Sequence, residues 1–330
     1  ALEYSELILG QSGSEAEKLY YRFKDNGGRD VMLKYELMIP MCRAVAQNYY
    51  NISFPFKRYQ VQNVWRAENV QRGRLREFTQ MDIDIIGSNS PIADAEIIQF
   101  GLDFLKKLGF KKYIVLLNSR EIIKGLIEVV SIEEKYFEDV YIAVDKIKKI
   151  GESKVAKELI SKGIGEVKVK KFLSLLNLDI EELSVMLKNS ESGRSGVEDV
   201  KNIIEIISSN KENAKFVKFD ATLTRGLASY TGPVWEYEII DGDVGSVSGG
   251  GRYDKAVSKY LGREVPATGT SFGLERLTEI MKEREMVKNI SSDNTILLIP
   301  MTNNCINYTM KLGNTLRENG LATNIYPQIQ

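Results

Sequence analysis

The chain has 330 residues, with 45 Lys and Arg against 45 Asp and Glu, no histidine and two cysteines. That length holds two or three domains, and the balanced charge leaves any contact with nucleic acid to local patches. Without histidine there is no Ser-His-Asp or Cys-His nucleophile and no His-ligated metal, and Cys42 and Cys305 are too few for a zinc cluster or a disulfide scaffold. No apolar run reaches the roughly 20 residues of a membrane helix and no secretory segment opens the chain, so a cytoplasmic protein without membrane contact is expected. Its chemistry must come from Arg, Lys, carboxylates, backbone amides or a bound cation.

From the N-terminus, residues 1–119 read as mixed strand and helix. Between Arg58 and Gly87, two strand-like runs flank a loop carrying Arg72, Gly73, Arg74 and Arg76. Side chains alternate across a strand, so Gln62, Val64, Arg66 and Glu68 share one face. Gln80, Asp82 and Asp84 share a face of the second run, while Thr79, Met81, Ile83 and Ile85 point the other way. The pattern predicts a hairpin with a buried aliphatic face and a polar face that binds a polar ligand, because unpaired buried charge is costly. The alternative is a solvated face with cross-strand ion pairs.

Ser90-Pro91 is a helix cap with a first-turn proline; Ala95, Ile98, Leu102 and Leu105 follow at helical spacing and Gly109 ends the helix. Lys112 to Asn118 is a buried strand. Residues 120–213 shift to Lys/Glu-rich amphipathic helix with breaks at Gly151, Gly163, Gly165 and Ser190 to Gly196, the composition of an inserted helical domain. A strand returns at Val234 to Ile240, with Trp235, Tyr237 and Ile239 opposite Glu236 and Glu238. Leu274, Leu277, Ile280 and Met281 line one side of a later helix, and after Asp293 a strand (Ile296 to Pro300) and a helix (Tyr308 to Glu318) begin a βα unit.

Four segments then resemble class II aminoacyl-tRNA synthetases, in the form of the histidyl-tRNA synthetases. Trp65-Arg66-Ala67-Glu68, the Arg-Gly-Arg loop and Arg76-Glu77-Phe78 with Gln80 resemble motif 2. Thr224 to Gly232 is similar to the family's histidine motif, Gly249-Gly250-Gly251-Arg252-Tyr253-Asp254 to its glycine-rich strand turn, and Gly269 to Leu277 to motif 3. Val144 to Gly151 resembles part of the insertion found in that family. The four segments occur in the family's order and span nearly the whole chain.

The resemblance implies an α+β fold, the class II antiparallel sheet with flanking helices. It divides the chain into a first part of the catalytic core (1–119), a helical insertion domain (120–213), a second part of the core (214–290) and the start of an α/β anticodon-binding domain (291–330). Motif 1 would precede Ala1, so a piece of a longer protein is expected. The implied reaction joins L-histidine to ATP with Mg2+ and transfers the product to tRNA(His), in a homodimer. Charge grows on phosphate oxygens in such a transfer, so cations belong there. Arg66 and Arg225 are the expected catalytic arginines, the latter in place of a metal ion. Arg66, Glu68, Arg74, Phe78 and Arg276 are expected to bind ATP, Phe78 by stacking on adenine. Glu36, Met38, Arg66, Gln80, Asp84, Arg225, Ser229 and Tyr230 are expected around histidine, with Gln80 and Asp84 on its ammonium and Tyr230 near the ring. The glycines 249 to 251 would let backbone approach a ligand.

Departures from the family pattern cluster at the amino-acid side. Met38 stands for threonine, Lys34-Tyr35 for Arg-Pro, Ala228-Ser229 for Asp-Tyr, and Asp84 for the commoner glutamate. Two other readings therefore stand beside the ligase. One is a non-catalytic relative acting as regulatory subunit of ATP phosphoribosyltransferase, and the other is a class II ligase for a different amino acid.

Overall fold

The hairpin anchors the molecule, here a computed structural model describing residues 1–9, 17–70, 73–225, 229–240, 245–287 and 295–329. Its strands, β4 (Phe56–Trp65) and β5 (Glu77–Ile86), pair antiparallel with Arg58 opposite Asp84, Gln60 opposite Asp82 and Gln62 opposite Gln80. Before them, β1 (Leu2–Tyr4), β2 (Arg22–Lys24) and β3 (Asp30–Leu33) form a small antiparallel sheet with β3 central. After them come β6 (Tyr113–Ser119), β7 (Val217–Phe219), β8 (Pro233–Ile239), β9 (Ser246–Arg252) and β10 (Ala267–Gly273). The seven long-range strands order β4-β5-β10-β9-β8-β6-β7, antiparallel at every step except β6 to β7.

One face of this sheet carries Phe272, Trp235 and Tyr237, large residues that alternation puts together and that need a cover. The helix Pro91–Lys107 supplies part of it. Ser90 caps it by accepting from the Ile92 amide at 3.2 Å, as its sequence predicts. It lies so close that a Cβ on Gly101 would sit 2.3 Å from the Tyr237 hydroxyl, which donates to Ile98 O at 3.0 Å. Residues 120–213 are helical, as expected, and their first and last long helices, Arg120–Val129 and Glu191–Ser208, belong to the same covering layer. They approach through Gly125 and Gly193, where a Cβ on the former would be 2.5 Å from the latter's Cα. The shorter helices between them bury Val155, Leu159 and Phe172.

On β5 the aliphatic face is covered in part as expected, with Ile85 buried and Thr79, Met81 and Ile83 half-buried, but burial differs between the faces of the hairpin. Gln80, Asp82 and Asp84 are only 7, 5 and 3% exposed, whereas Tyr59 and Val61 on the opposite face are 79 and 51% exposed. The covering helices reach as far as β5, and among the described residues Tyr59 and Val61 of β4 stay exposed beside the Lys57–Glu96 ion pair. The polar face is closed instead by the segment entering the helix Met38–Gln47: Lys34 Nζ donates to Gln62 Oε1 at 2.8 Å, and Met41, Cys42 and Val45 pack with Ile86 and Tyr253.

Compact units run from Ala1 to Ile280 and from Met281 to Gln330. In the second, β11 (Ile296–Leu298) and β12 (Thr323–Ile325) pair parallel, joined by the helix Ile306–Glu318. Gly313 lets that helix lie on Ile325, whose Cδ1 would be 2.7 Å from an added Cβ. This is the βα unit that the sequence predicts, completed by a second strand.

Candidate active site

The polar face forms rows that cross the sheet. One row runs Arg58, Asp84, Gly269, Gly251 and Val234; the next runs Gln60, Asp82, Ser271, Gly249 and Glu236. Glycine in these rows removes side chains where a neighbour must lie flat. Over Gly249 lies the Arg225 guanidinium, its Nη1 1.5 Å from where a Cβ would stand, and over Gly251 lies the Tyr230 ring, 2.7 Å from such a Cβ. The glycine run thus seats two site side chains directly on the strand.

Arg225 follows the helical region in a backbone conformation rare for residues with a Cβ, with φ of 52°. Its Nη1 is 3.5 Å from Glu236 Oε1, and its ring neighbour Tyr230 is 6.0 Å away, centroid to Cζ. Burial opposes its charge, but Tyr230 and Glu236 hold it firmly cationic. Neither its Nε nor its Nη1 has a hydrogen-bond partner among the described residues. Tyr230 itself is pushed up by burial, with Arg225 pulling the other way. Gly226, Leu227 and Ala228 of the same motif, and Arg72 of the hairpin loop, lie outside the described residues.

At the hairpin's far end, Arg66 donates from Nε to Tyr35 O at 3.2 Å, and its guanidinium lies 4.5 Å from the Tyr35 ring and 5.1 Å from the Phe78 ring. Phe78 therefore meets an arginine here. Arg74 pairs with Glu68 at 3.3 Å in a partly exposed contact. Arg276 sits in the first turn of the helix Leu274–Glu283 and donates to Ser246 O. Burial and then Arg74 depress its pKa, which shows that the two cations share one field. A Cβ on Gly73 would stand 3.3 Å from Arg276 Cγ, so the turn of the hairpin loop and the helix start meet. Glu275, which precedes Arg276, accepts from the Thr79 amide at 2.8 Å and ties that helix to β5.

On the amino-acid side, Glu36 is buried after β3 and its charge is felt by Asp82 and Tyr230. Met38 begins a helix and packs between two apolar clusters, so it serves the core. Ser229 has a buried hydroxyl without a hydrogen-bond partner among the described residues. Gln80 donates from Nε2 to Ser271 Oγ at 2.7 Å. Asp84 Oδ1 accepts from the Tyr253 hydroxyl, and Arg58 Nη2 lies 2.8 Å from its Oδ2. Burial raises the pKa of both Asp82, to about 7, and Asp84, where Arg58 and Tyr253 oppose the rise.

Three of these residues were not singled out from the sequence: Arg58, Asp82 as a ligand, and Tyr253. Strand alternation already put Arg58 and Asp82 on the face of Gln80. Nothing local in the sequence pairs Tyr253 with Asp84, which is 169 residues away.

An antiparallel sheet floored by glycine, with arginines from the hairpin, from a central loop and from the helix after β10, defines a class II aminoacyl-tRNA synthetase catalytic fold. The model of the family described as Histidyl-tRNA synthetase matches residues 1–277. A histidine–tRNA ligase of Clostridium tetani is 36% identical over 335 residues, covering 98% of this chain and 76% of that protein. One from Helicobacter pylori is 34% identical over 340 residues, covering 100% and 76%. The chain belongs to the histidyl-tRNA synthetase family. Among solved structures, histidyl-tRNA synthetase from a Nostoc species superposes with a TM-score of 0.80 at 24% identity, over 100% of this chain and 77% of that one. A Bacillus halodurans protein described as an ATP phosphoribosyltransferase regulatory subunit/histidyl-tRNA synthetase gives 0.77 at 24% identity, over 98% and 81%. At that identity the likeness is one of fold.

Proposed function

We propose that this protein activates L-histidine with ATP and transfers the histidyl group to tRNA(His). The observation that carries this reading is Arg225, seated over bare Gly249 with nitrogens left for a ligand. In activation, a histidine carboxylate oxygen bonds to the α-phosphorus as the bond to pyrophosphate breaks. Arg225 and Arg66 bind the oxygens on which charge grows, where a fixed guanidinium is worth most. Arg74 and Arg276 hold the terminal phosphates, and Glu36 faces the amino-acid end.

Glu279 Oε2 is buried without a hydrogen-bond partner among the described residues and lies beside Arg276, which suits a cation brought with phosphates. Glu279 would hold Mg2+ there, and the ion would supply neutralisation of charge on the leaving pyrophosphate. Among the described residues no three carboxylates or thiols cluster as a resident metal site.

The exposed Tyr59 and Val61 face favours a homodimer, since apolar strand surface of this kind marks an interaction site. We assign the shorter helices between Val129 and Glu191 as the family's insertion, since the flanking helices Arg120–Val129 and Glu191–Ser208 cover the core sheet, and 291–330 as the beginning of its anticodon-binding domain on its βαβ character. No helix among the described residues is long and apolar enough to cross a membrane.

The regulatory reading is kept by the Bacillus halodurans likeness and by Ser229, where the family pattern has tyrosine. ATP–pyrophosphate exchange with each of the twenty amino acids tests the choice. Exchange fastest with histidine is expected. Histidine binding without exchange moves the protein to the regulatory class, and faster exchange with another amino acid moves it to another ligase.

A further inference from the structure

Arg225 is held at its φ of 52° by the segment that precedes it, and that segment is fastened from two sides. From the core, the buried Asn118 donates from Nδ2 to Ala221 O at 3.2 Å and to Leu223 O at 2.8 Å. Within the segment, Asp220 Oδ1 accepts from the Thr222 amide at 2.9 Å and Asp220 O from the Leu223 amide at 3.1 Å, so Asp220 closes the turn. From the other side come the short helices Phe137–Asp145 and Ile147–Ile150. The buried Thr224 hydroxyl donates to Tyr141 O at 3.1 Å, and Lys148 Nζ stands 2.8 Å from Asp220 Oδ2 and 3.6 Å from Glu238 Oε1.

The lysine joins three elements. Glu236 and Glu238 share one face of β8, and Arg225 Nη1 lies 3.5 Å from Glu236 Oε1. Arg225 and Lys148 thus divide the two carboxylates between them. Burial opposes the charge of Lys148, but Asp220 and then the two glutamates outweigh it and raise its pKa. Burial opposes the charge of Asp220 as well, and its bonds to Lys148 and Thr222 hold the carboxyl below the ordinary range. Lys148, Asp220 and Glu238 line a cavity of about 540 Å³ rather than a packed core, so charge and not side-chain packing sets the distances there. With the lysine half-exposed, such a bridge adds little to stability. What it contributes is the place of the turn.

We propose that Lys148 is a positioning residue for Arg225: by bridging Asp220 to Glu238 it pins the turn that delivers Arg225 and keeps Glu238 from drawing the guanidinium off Gly249. This rests on reading Arg225 as the cation of the activation step.

The test combines ATP–pyrophosphate exchange with histidine and hydrogen–deuterium exchange of the backbone, both on the full chain. Misplacing a reacting group by about 1 Å can cost on the order of 10²-fold, and losing one of several fastenings costs less, so Lys148→Ala is expected to lower turnover about tenfold. The Michaelis constant for ATP and the melting temperature should stay nearly unchanged. In the same variant the amides of Thr222 and Leu223 should exchange about tenfold faster, while those of β10 keep their protection. Lys148→Arg, which keeps the charge, is expected to recover most of both. Added to Arg225→Ala, Lys148→Ala is expected to cause no further loss of turnover, because the lysine acts through the arginine. Lys148→Met repeats the comparison in case the alanine variant does not fold. Unchanged protection of Thr222 and Leu223 overturns the proposal, and so does a loss in the double variant equal to the sum of the single losses. A parent that exchanges with no amino acid overturns the reading of Arg225, and the amide protection then decides by itself whether Lys148 pins the turn.

Discussion

Arg58 and Asp84 face each other across β4 and β5, guanidinium Nη2 to carboxylate Oδ2 at 2.8 Å, with side chains only 10 and 4% exposed. Inside a protein, such a pair adds little stability over an apolar pair, yet removing one partner strands the other. Arg58→Ala is therefore expected to cost about 3–5 kcal/mol in denaturant unfolding, because both Asp82 and Asp84 lose their cation. The double variant Arg58→Met, Asp84→Leu should recover part of that loss. A single variant as stable as the parent would show that water already solvates these carboxylates.

Arg225→Ala should lower pyrophosphate exchange by about 10²–10³ while leaving the Michaelis constant for ATP nearly unchanged. It acts on charge that appears in the transition state, and one such contact is typically worth on the order of 3 kcal/mol. Near-normal exchange would mean that the catalytic cation lies elsewhere.

Gly249→Ala should imitate that loss without touching the arginine. The new methyl occupies the seat of Arg225 Nη1, so the guanidinium must leave the strand. Exchange is expected to fall at least tenfold with the fold intact by circular dichroism. Full activity in the alanine variant would show that Arg225 works from a different position.

Asp199, on the helix Glu191–Ser208, has its carboxyl pushed up to about 6 by burial and then by Asp94. The folded chain keeps a proton that the unfolded chain, with a carboxyl near the ordinary value of about 4, has released. Stability from this group is therefore greatest below about pH 4 and falls as pH rises through 6. Asp199→Asn removes that cost, and an increase of roughly 1 kcal/mol is expected at pH 7.5, fading below about pH 4. Unfolding at the two pH values checks the sign as well as the size.

Local chemistry made much of this molecule legible from sequence. Ser90-Pro91 announced its helix, strand alternation put Gln80, Asp82 and Asp84 on one face, and Gly109 marked a stop, taken up at φ of 90°. What alternation cannot tell is which face of a two-faced strand is covered. That depends on helices arriving from elsewhere in the chain, and at Tyr59 and Val61 the described residues bring none. In the site, residue types were readable and pairings were not. Phe78 meets Arg66, and Asp84 is held by Arg58 and Tyr253, because registers between distant strands decide who is adjacent.

The bond from Gln80 to Ser271 spans 191 residues, and the one from Thr79 to Glu275 spans 196. Strands β5 and β10 are neighbours in the sheet, yet residues 87–266 of the first compact unit are synthesised between them. On the ribosome, β5 must wait for its β10 neighbour until residue 276 or so has emerged, a delay on the order of ten seconds or more at about 5–20 residues per second. Loop-closure entropy grows only slowly with length, so the wait is kinetic in nature: the equilibrium cost of closing so long a loop rises by only about 0.6 kcal/mol per doubling. During translation this protein is therefore without a binding site for most of its elongation, and acquires one in a single late step.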